Sequence, residues 1–330
     1  MRDHFVKRLC ELAESDRRIT LITGDLGFGV LNEFRQRFPR QFINAGIAEQ
    51  NMTGLATGMA LEGRIVFTYS IGNFSTLRCL EQIRNDACYH EANVKIVSVG
   101  GGFSYGALGI SHHATEDLAI MRSLPGLTVV SPCGLWEAVQ AAEAVTRTPG
   151  VCYVRIDKSA GPDGPIYAGE RFELGKARRL CQGTDCTIAV TGGILEEAVA
   201  AADILRSKGI SAGVISCHTI KPFDADPVLQ ACRETGAVFT VEEHTRCGGL
   251  GSLVAEVLMD HGVHPHVFHR FALEAGFSSR VGSQRYLRNV YGLDGRTLAD
   301  RISEALRKRH PSIVVADHPA PRSEMNPRFR

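Results

Sequence analysis

Two doubly wound α/β domains are what the sequence predicts, on three observations. Short Val/Ile-rich runs alternate with helical patterns, the alternation stops at a Gly/Pro-rich stretch and then restarts, and 330 residues suffice for two cores.

The first half reads in order as helix 2–15, strand ITLITG, strand RQFINAG, helix 48–62, strand RIVFTYS and helix 74–90. Strand VKIVSVGG, a Gly-rich loop, helix 115–122, strand LTVVSP, helix 134–147 and strand VCYVRI follow. Continuous apolar strands between helices imply a parallel sheet covered on both faces. DKSAGPDGPIYAG (157–169) has linker composition. The pattern resumes with CTIAVTGG, helix 194–208, AGVISCHTI, helix 226–235, AVFTVEEH, helix 250–260, HVFHRF and a helix at 296–308. The expected organisation is a first domain over 1–160, a linker over 161–180, a second domain over 181–310 and a Pro- and Arg-rich tail over 311–330.

Lys plus Arg number 37 against 36 acids, so no global field draws in nucleic acid or a membrane surface. No apolar run reaches the roughly 20 residues of a membrane span, and the charged N-terminus is unlike a signal peptide. Ten scattered cysteines without C-x-x-C spacing imply no metal site and reduced thiols, as in a soluble, cytoplasmic protein.

The segment NAGIAEQNMTGLATGMALEG places Met52, Leu55, Ala56, Met59 and Ala60 on one helical face, with Glu49 three residues earlier on the same face. A carboxylate held there away from water could stay protonated and donate a hydrogen bond. A solvated first-turn Glu favoured by the helix dipole is the other reading of this feature.

That run is followed by RIVFTYS, FSTLRCLEQIRNDACYHEANVKI and GISHHATEDLAIMRSLPGLTVVSP, and later by VISCHTIKPFD and VFTVEEHTRCGGLGS. In this order and spacing the segments resemble the pyrimidine-binding and C-terminal domains of the transketolase family over roughly residues 5 to 305. The resemblance implies that the chain binds thiamine diphosphate. Glu49 would hydrogen-bond N1′ of the aminopyrimidine, favouring the imino tautomer whose 4′ nitrogen deprotonates the thiazolium C2. Phe74, seven residues before Glu81, would stack on the pyrimidine, with Ile71 and Leu77 at two positions where the family has aromatics. Asp25 of ITGDLG matches the acid that offsets thiazolium charge, although a turn-forming Asp serves as well. His112 of GISHH would face the substrate carbonyl, with His113 structural. Arg155, ending VCYVRI, would clamp a sugar phosphate.

The sequence also departs from the family. Gly100, Leu108 and Gly29 stand where sugar transketolases carry a phosphate-binding histidine, a hydroxyl-reading aspartate and a phosphate-touching hydroxyl. The acceptor is therefore an open question, whether a modified sugar or another aldehyde or ketone. The GGGFSYG loop also permits a dinucleotide-binding reading, but no helix opens until Thr115. No G-D-G…N motif is present, so the resemblance implies that a separately encoded subunit holds Mg²⁺ and the diphosphate, in an α2β2 assembly acting on sugars. The rival readings are the β subunit of a 2-oxoacid dehydrogenase E1, a 1-deoxyxylulose-5-phosphate-synthase-like carboligase, and a non-enzymatic scaffold.

Overall fold

The computed structural model describes residues 1–158, 164–274 and 276–308; part of the expected linker and the whole tail over 311–330 lie outside the described residues. Six strands arise in the first half: β1 (Ile19–Thr23), β2 (Phe42–Asn44), β3 (Ile65–Ile71), β4 (Val94–Val99), β5 (Leu127–Val130) and β6 (Val151–Ile156). The second half adds β7 (Arg178–Cys181), β8 (Cys186–Thr191), β9 (Ala212–Ser216), β10 (Thr219–Lys221), β11 (Ala237–Thr245) and β12 (Val267–Leu273). One sheet has the order β10-β5-β6-β4-β3-β1-β2 and the other β12-β11-β8-β9-β7. Pairing is parallel throughout except for the edge strands β10 and β7, which run antiparallel. The strands β1, β4, β6 and β8 are buried at every position, as parallel sheets covered by helices require.

Both halves are tied into one body. Strand β10 extends the first sheet from the second half of the chain, and one apolar cluster runs from Met52 and Ile83 through Leu118 and Met121 to Ile220 and Leu250. A buried ionic hub reinforces the seam: Glu243 accepts from Arg288 Nε, from Gln284 Nε2 at 2.9 Å and from the backbone N–H of Phe103.

Strand order places a topological switch beside β1, because the connection from β2 to β3 crosses over it. Ligands of open α/β sheets bind at such a point, outside the carboxyl ends of the strands. The loop after β1, the helix after β2 and the turn after β3 converge there.

The structure changes several expectations. The helix expected over 74–90 is a succession of short turns, Gly72–Ser75, Leu77–Cys79 and Leu80–Gln82, ending in a π-helix over Ile83–Cys88. Ser75 and Thr76 hydroxyls donate to the Gly72 carbonyl, competing with the helical backbone bonds and breaking the segment at Thr76. Helices at Asn32–Arg37 and Gln284–Val290 were too short to register as periodic patterns, and β7 begins inside the expected linker. All ten cysteines are free. Among the described residues no helix is long and apolar enough to cross a membrane.

Candidate active site

Helix Glu49–Leu61 opens directly after β2 and buries Glu49, Met52, Thr53, Ala56, Thr57 and Ala60. Glu49 therefore lies on the buried face; Leu55, expected there, is 38% exposed, and the threonines take its place with hydroxyls bonded to backbone four residues back. The Glu49 side chain is 3% exposed and accepts from Arg78 Nη1 at 2.7 Å. Gly24 of the loop after β1 backs it, and a Cβ there would lie 3.4 Å from Glu49 Cγ.

The broken segment after β3 turns Phe74 toward this carboxylate. Arg78 bridges them, its guanidinium carbon 4.6 Å from the Phe74 ring centroid. The other side of the pocket comes from the loop after β4, where the His112 ring meets Phe74 edge-on at 5.1 Å. Asn73 holds that loop by donating to the carbonyls of Ser111 and His113 at 3.3 and 2.9 Å. His112 Nδ1 lies 2.9 Å from Ser111 Oγ, leaving Nε2 for a ligand. Partial burial, with His113 beside it, lowers the His112 imidazole below the ordinary histidine value, so the neutral, proton-accepting form prevails at pH 7. His113 is buried and bonds the Gly106 carbonyl at 3.1 Å.

The remaining expected residues are spread more widely. Asp25 is exposed and pinned to Asn44, its carboxylate accepting from Asn44 Nδ2 at 2.9 Å, with a left-handed φ of 55°. Ile71 ends β3, while Leu77 and Leu108 lie on the rim, 46% and 57% exposed. Gly29 is exposed with open space at its Cβ position.

One expectation needs correction. Arg155 is not free to clamp a phosphate: it is 2% exposed, its Nε lies 3.2 Å from Asp117, and Nη2 donates to the carbonyls of Ala114 and Glu243 at 3.1 and 2.9 Å. At Gly100, which stands where the family has a histidine, a Cβ would lie 2.2 Å from the Tyr105 ring. GGGFSYG is not a phosphate cradle. Cβ atoms at Gly101 and Gly102 would strike Arg155 Nε at 2.1 Å and Glu243 Oε1 at 2.5 Å, so the chain's own charges fill the space.

Sequence reasoning missed three residues. Tyr105 takes the space above Gly100 and lies 6.3 Å from His112, and the exposed Lys158 holds its Nζ 5.4 Å from the Tyr105 ring. Lys158 thus places an exposed cation just beyond β6, two residues after its end. Arg78 is the third; its RCLEQ context carried no signal once the segment was read as one helix.

The two-domain α/β chain thus gathers a buried carboxylate, an aromatic face and a histidine at its switch point. Residues 1–163 match the family model for the transketolase pyrimidine-binding domain, and residues 175–298 match that for the transketolase C-terminal domain. The chain belongs to the transketolase family. It is 41% identical over 265 residues to one of the subunits of the apulose-4-phosphate transketolase of Phocaeicola vulgatus, covering 79% of this chain and 84% of that protein. It is 35% identical to the 6-deoxy-6-sulfo-D-fructose transketolase subunit SqwH of a Clostridium species, covering 94% of this chain and 95% of that one. A solved structure described as a split gene transketolase, inactive beta4 tetramer, superposes with a TM-score of 0.82 at 34% identity, covering 92% of this chain and 97% of that chain.

Proposed function

We propose that this chain is the pyrimidine-binding subunit of a split, thiamine-diphosphate-dependent transketolase that moves a two-carbon ketol unit from a ketose to an aldehyde acceptor. The observation that carries the reading is the buried Glu49 carboxylate joined through Arg78 to the Phe74 ring, whose centroid lies 5.1 Å from that of His112. These residues fit an aminopyrimidine: a planar nitrogenous group already lies over Phe74 and bonds Glu49, in the form of the Arg78 guanidinium. When bound, thiamine diphosphate supplies the carbon nucleophile and electron sink of ketol transfer.

Glu49 shares a proton with the pyrimidine N1′, and its burial keeps water from competing for that bond. Phe74 fixes the plane of the ring. His112, neutral at pH 7, holds and returns the proton of the substrate hydroxyl through Nε2. Lys158 meets an anionic group at the far end of the substrate. Asp25, held by Asn44 in the loop after β1, would offset the charge of the thiazolium.

The diphosphate and Mg²⁺ fall to a separately encoded subunit in an α2β2 assembly. Phe28, Ile47, Leu108, Ile110 and Phe277, between 50% and 81% exposed, supply apolar surface for such a partner. The similarity to a β tetramer described as inactive supports the need for it. The two relatives named above act on different sugars by their names, apulose 4-phosphate and 6-deoxy-6-sulfofructose, which supports a shared chemistry with a variable acceptor.

The test is Glu49→Gln in the complex reconstituted with the partner. Ketol transfer is expected to fall by about 10²–10⁴-fold, the range of a general acid–base contribution. Wild-type turnover in that variant would remove Glu49 from the mechanism.

A further inference from the structure

Arg78 contacts the two groups that an aminopyrimidine would meet. Its Nη1 donates to Glu49 Oε2 at 2.7 Å, where N1′ would instead accept a proton from that carboxyl, and its guanidinium carbon lies 4.6 Å from the Phe74 centroid. A guanidinium is flat and stacks on aromatic faces, so it fills the space of a heteroaromatic amine. Only one flat group can lie on that face of Phe74 while bonding that carboxylate. The two ends of the ion pair are also unequal: Glu49 is 3% exposed and Arg78 45%. The carboxylate is fixed in the core on its helix, whereas the arginine reaches in from the surface and can leave toward solvent.

We propose that Arg78 is a stand-in for the cofactor, filling the pyrimidine seat of the free chain and swinging out when the cofactor docks. The arginine covers a carboxylate that would otherwise be buried without a partner, which is costly. It also sets a threshold, since the cofactor must displace an existing ion pair and cation–π contact before its own bonds form. This rests on the assignment of Glu49 and Phe74 to the aminopyrimidine.

The experiment is calorimetric titration of thiamine diphosphate into the reconstituted complex, comparing wild type with Arg78→Ala and Arg78→Lys. Removing an incumbent held by a half-exposed ion pair and a cation–π contact is expected to tighten cofactor binding by about tenfold in Arg78→Ala. Arg78→Lys, which keeps the charge but loses the planar fork, is expected to fall between the two. Thermal unfolding confirms that each variant is folded. Unchanged or weaker binding in Arg78→Ala would overturn the proposal, weaker binding showing that Arg78 belongs to the occupied site. If Arg78→Ala binds no tighter while Glu49→Gln abolishes turnover, only the stand-in falls. If wild type binds no cofactor, or Glu49→Gln turns over normally, the underlying assignment falls and the stand-in falls with it.

Discussion

At Glu49 three facts coincide: burial on a helix face, the Phe74 ring nearby, and a cation reaching in from outside. Each neighbour makes its own prediction. Phe74→Ala removes the stacking face, worth about 0.5–1.5 kcal/mol beyond lost burial, so cofactor affinity of the reconstituted complex should drop by about threefold to tenfold, measurable by calorimetry. His112→Asn keeps a polar side chain but no proton shuttle, and turnover should fall by about a hundredfold or more in a steady-state assay with the cofactor saturating. The spacing of Met52, Ala56 and Ala60 put Glu49 on the covered face of a helix, but a solvated first-turn glutamate fitted it as well, and only the family resemblance favoured burial. Its partner was not legible, because Arg78 reaches Glu49 only after Thr76 breaks the following helix, and side-chain hydroxyl bonds leave no periodic trace. Lys95 shows the same limit: an apparently ordinary charge in VKIVSV is wholly buried, donating to the carbonyls of Thr148 and Gly150 at 2.6 Å each.

The Gly-rich loop after β4 is the element on which the substrate side of the site depends. Its glycines permit close approach of charged side chains and of Tyr105, which together carry the loop to His112. Gly101→Ala would drive a methyl group to 2.1 Å from Arg155 Nε and 2.8 Å from an Asp157 oxygen. The expected cost is about 1–3 kcal/mol or more, seen as a lower urea midpoint at unchanged slope. A phosphate-binding loop would instead be open at these positions and would tolerate the methyl group. The sequence showed the triplet but not what occupies it, since Arg155 and Asp157 at the end of β6 meet Glu243 of β11, a strand of the other sheet, only where the two halves pack together. The misreading of Arg155 has the same origin. A strand end looks exposed in sequence, yet β6 ends against the second half of the chain, and an exposed cation, Lys158, is three residues further on.

For the whole molecule, the fold class followed from alternation alone, because parallel strands buried on both faces are apolar along their length. What alternation cannot reveal is that the second half lends a strand to the first sheet and that the halves share an ionic hub, for β10 is three residues long and Glu243, Arg288 and Asp157 are far apart in sequence. Arg288→Met would leave Glu243 buried without its cation, and the chain should lose about 3–5 kcal/mol of stability in urea unfolding. Burial pushes the Asp157 carboxyl from an ordinary 3.8 up to about 6, against the pull of Arg155. The native state thus holds this proton more tightly than the unfolded chain does. Its contribution to stability is full below pH 3.8 and is lost as pH rises through 6. Asp157→Asn, which cannot ionise, should remove that part of the decline between pH 3.8 and about 6 in urea unfolding. The central claim, that this chain is half of an enzyme, is tested by titrating it with its diphosphate-binding partner and assaying ketol transfer from xylulose 5-phosphate with thiamine diphosphate and Mg²⁺ present. No turnover is predicted for either chain alone, with activity rising to a plateau at equal amounts of the two. Turnover by this chain alone, or a mixture that consumes a 2-oxoacid and ignores the ketose, would contradict it.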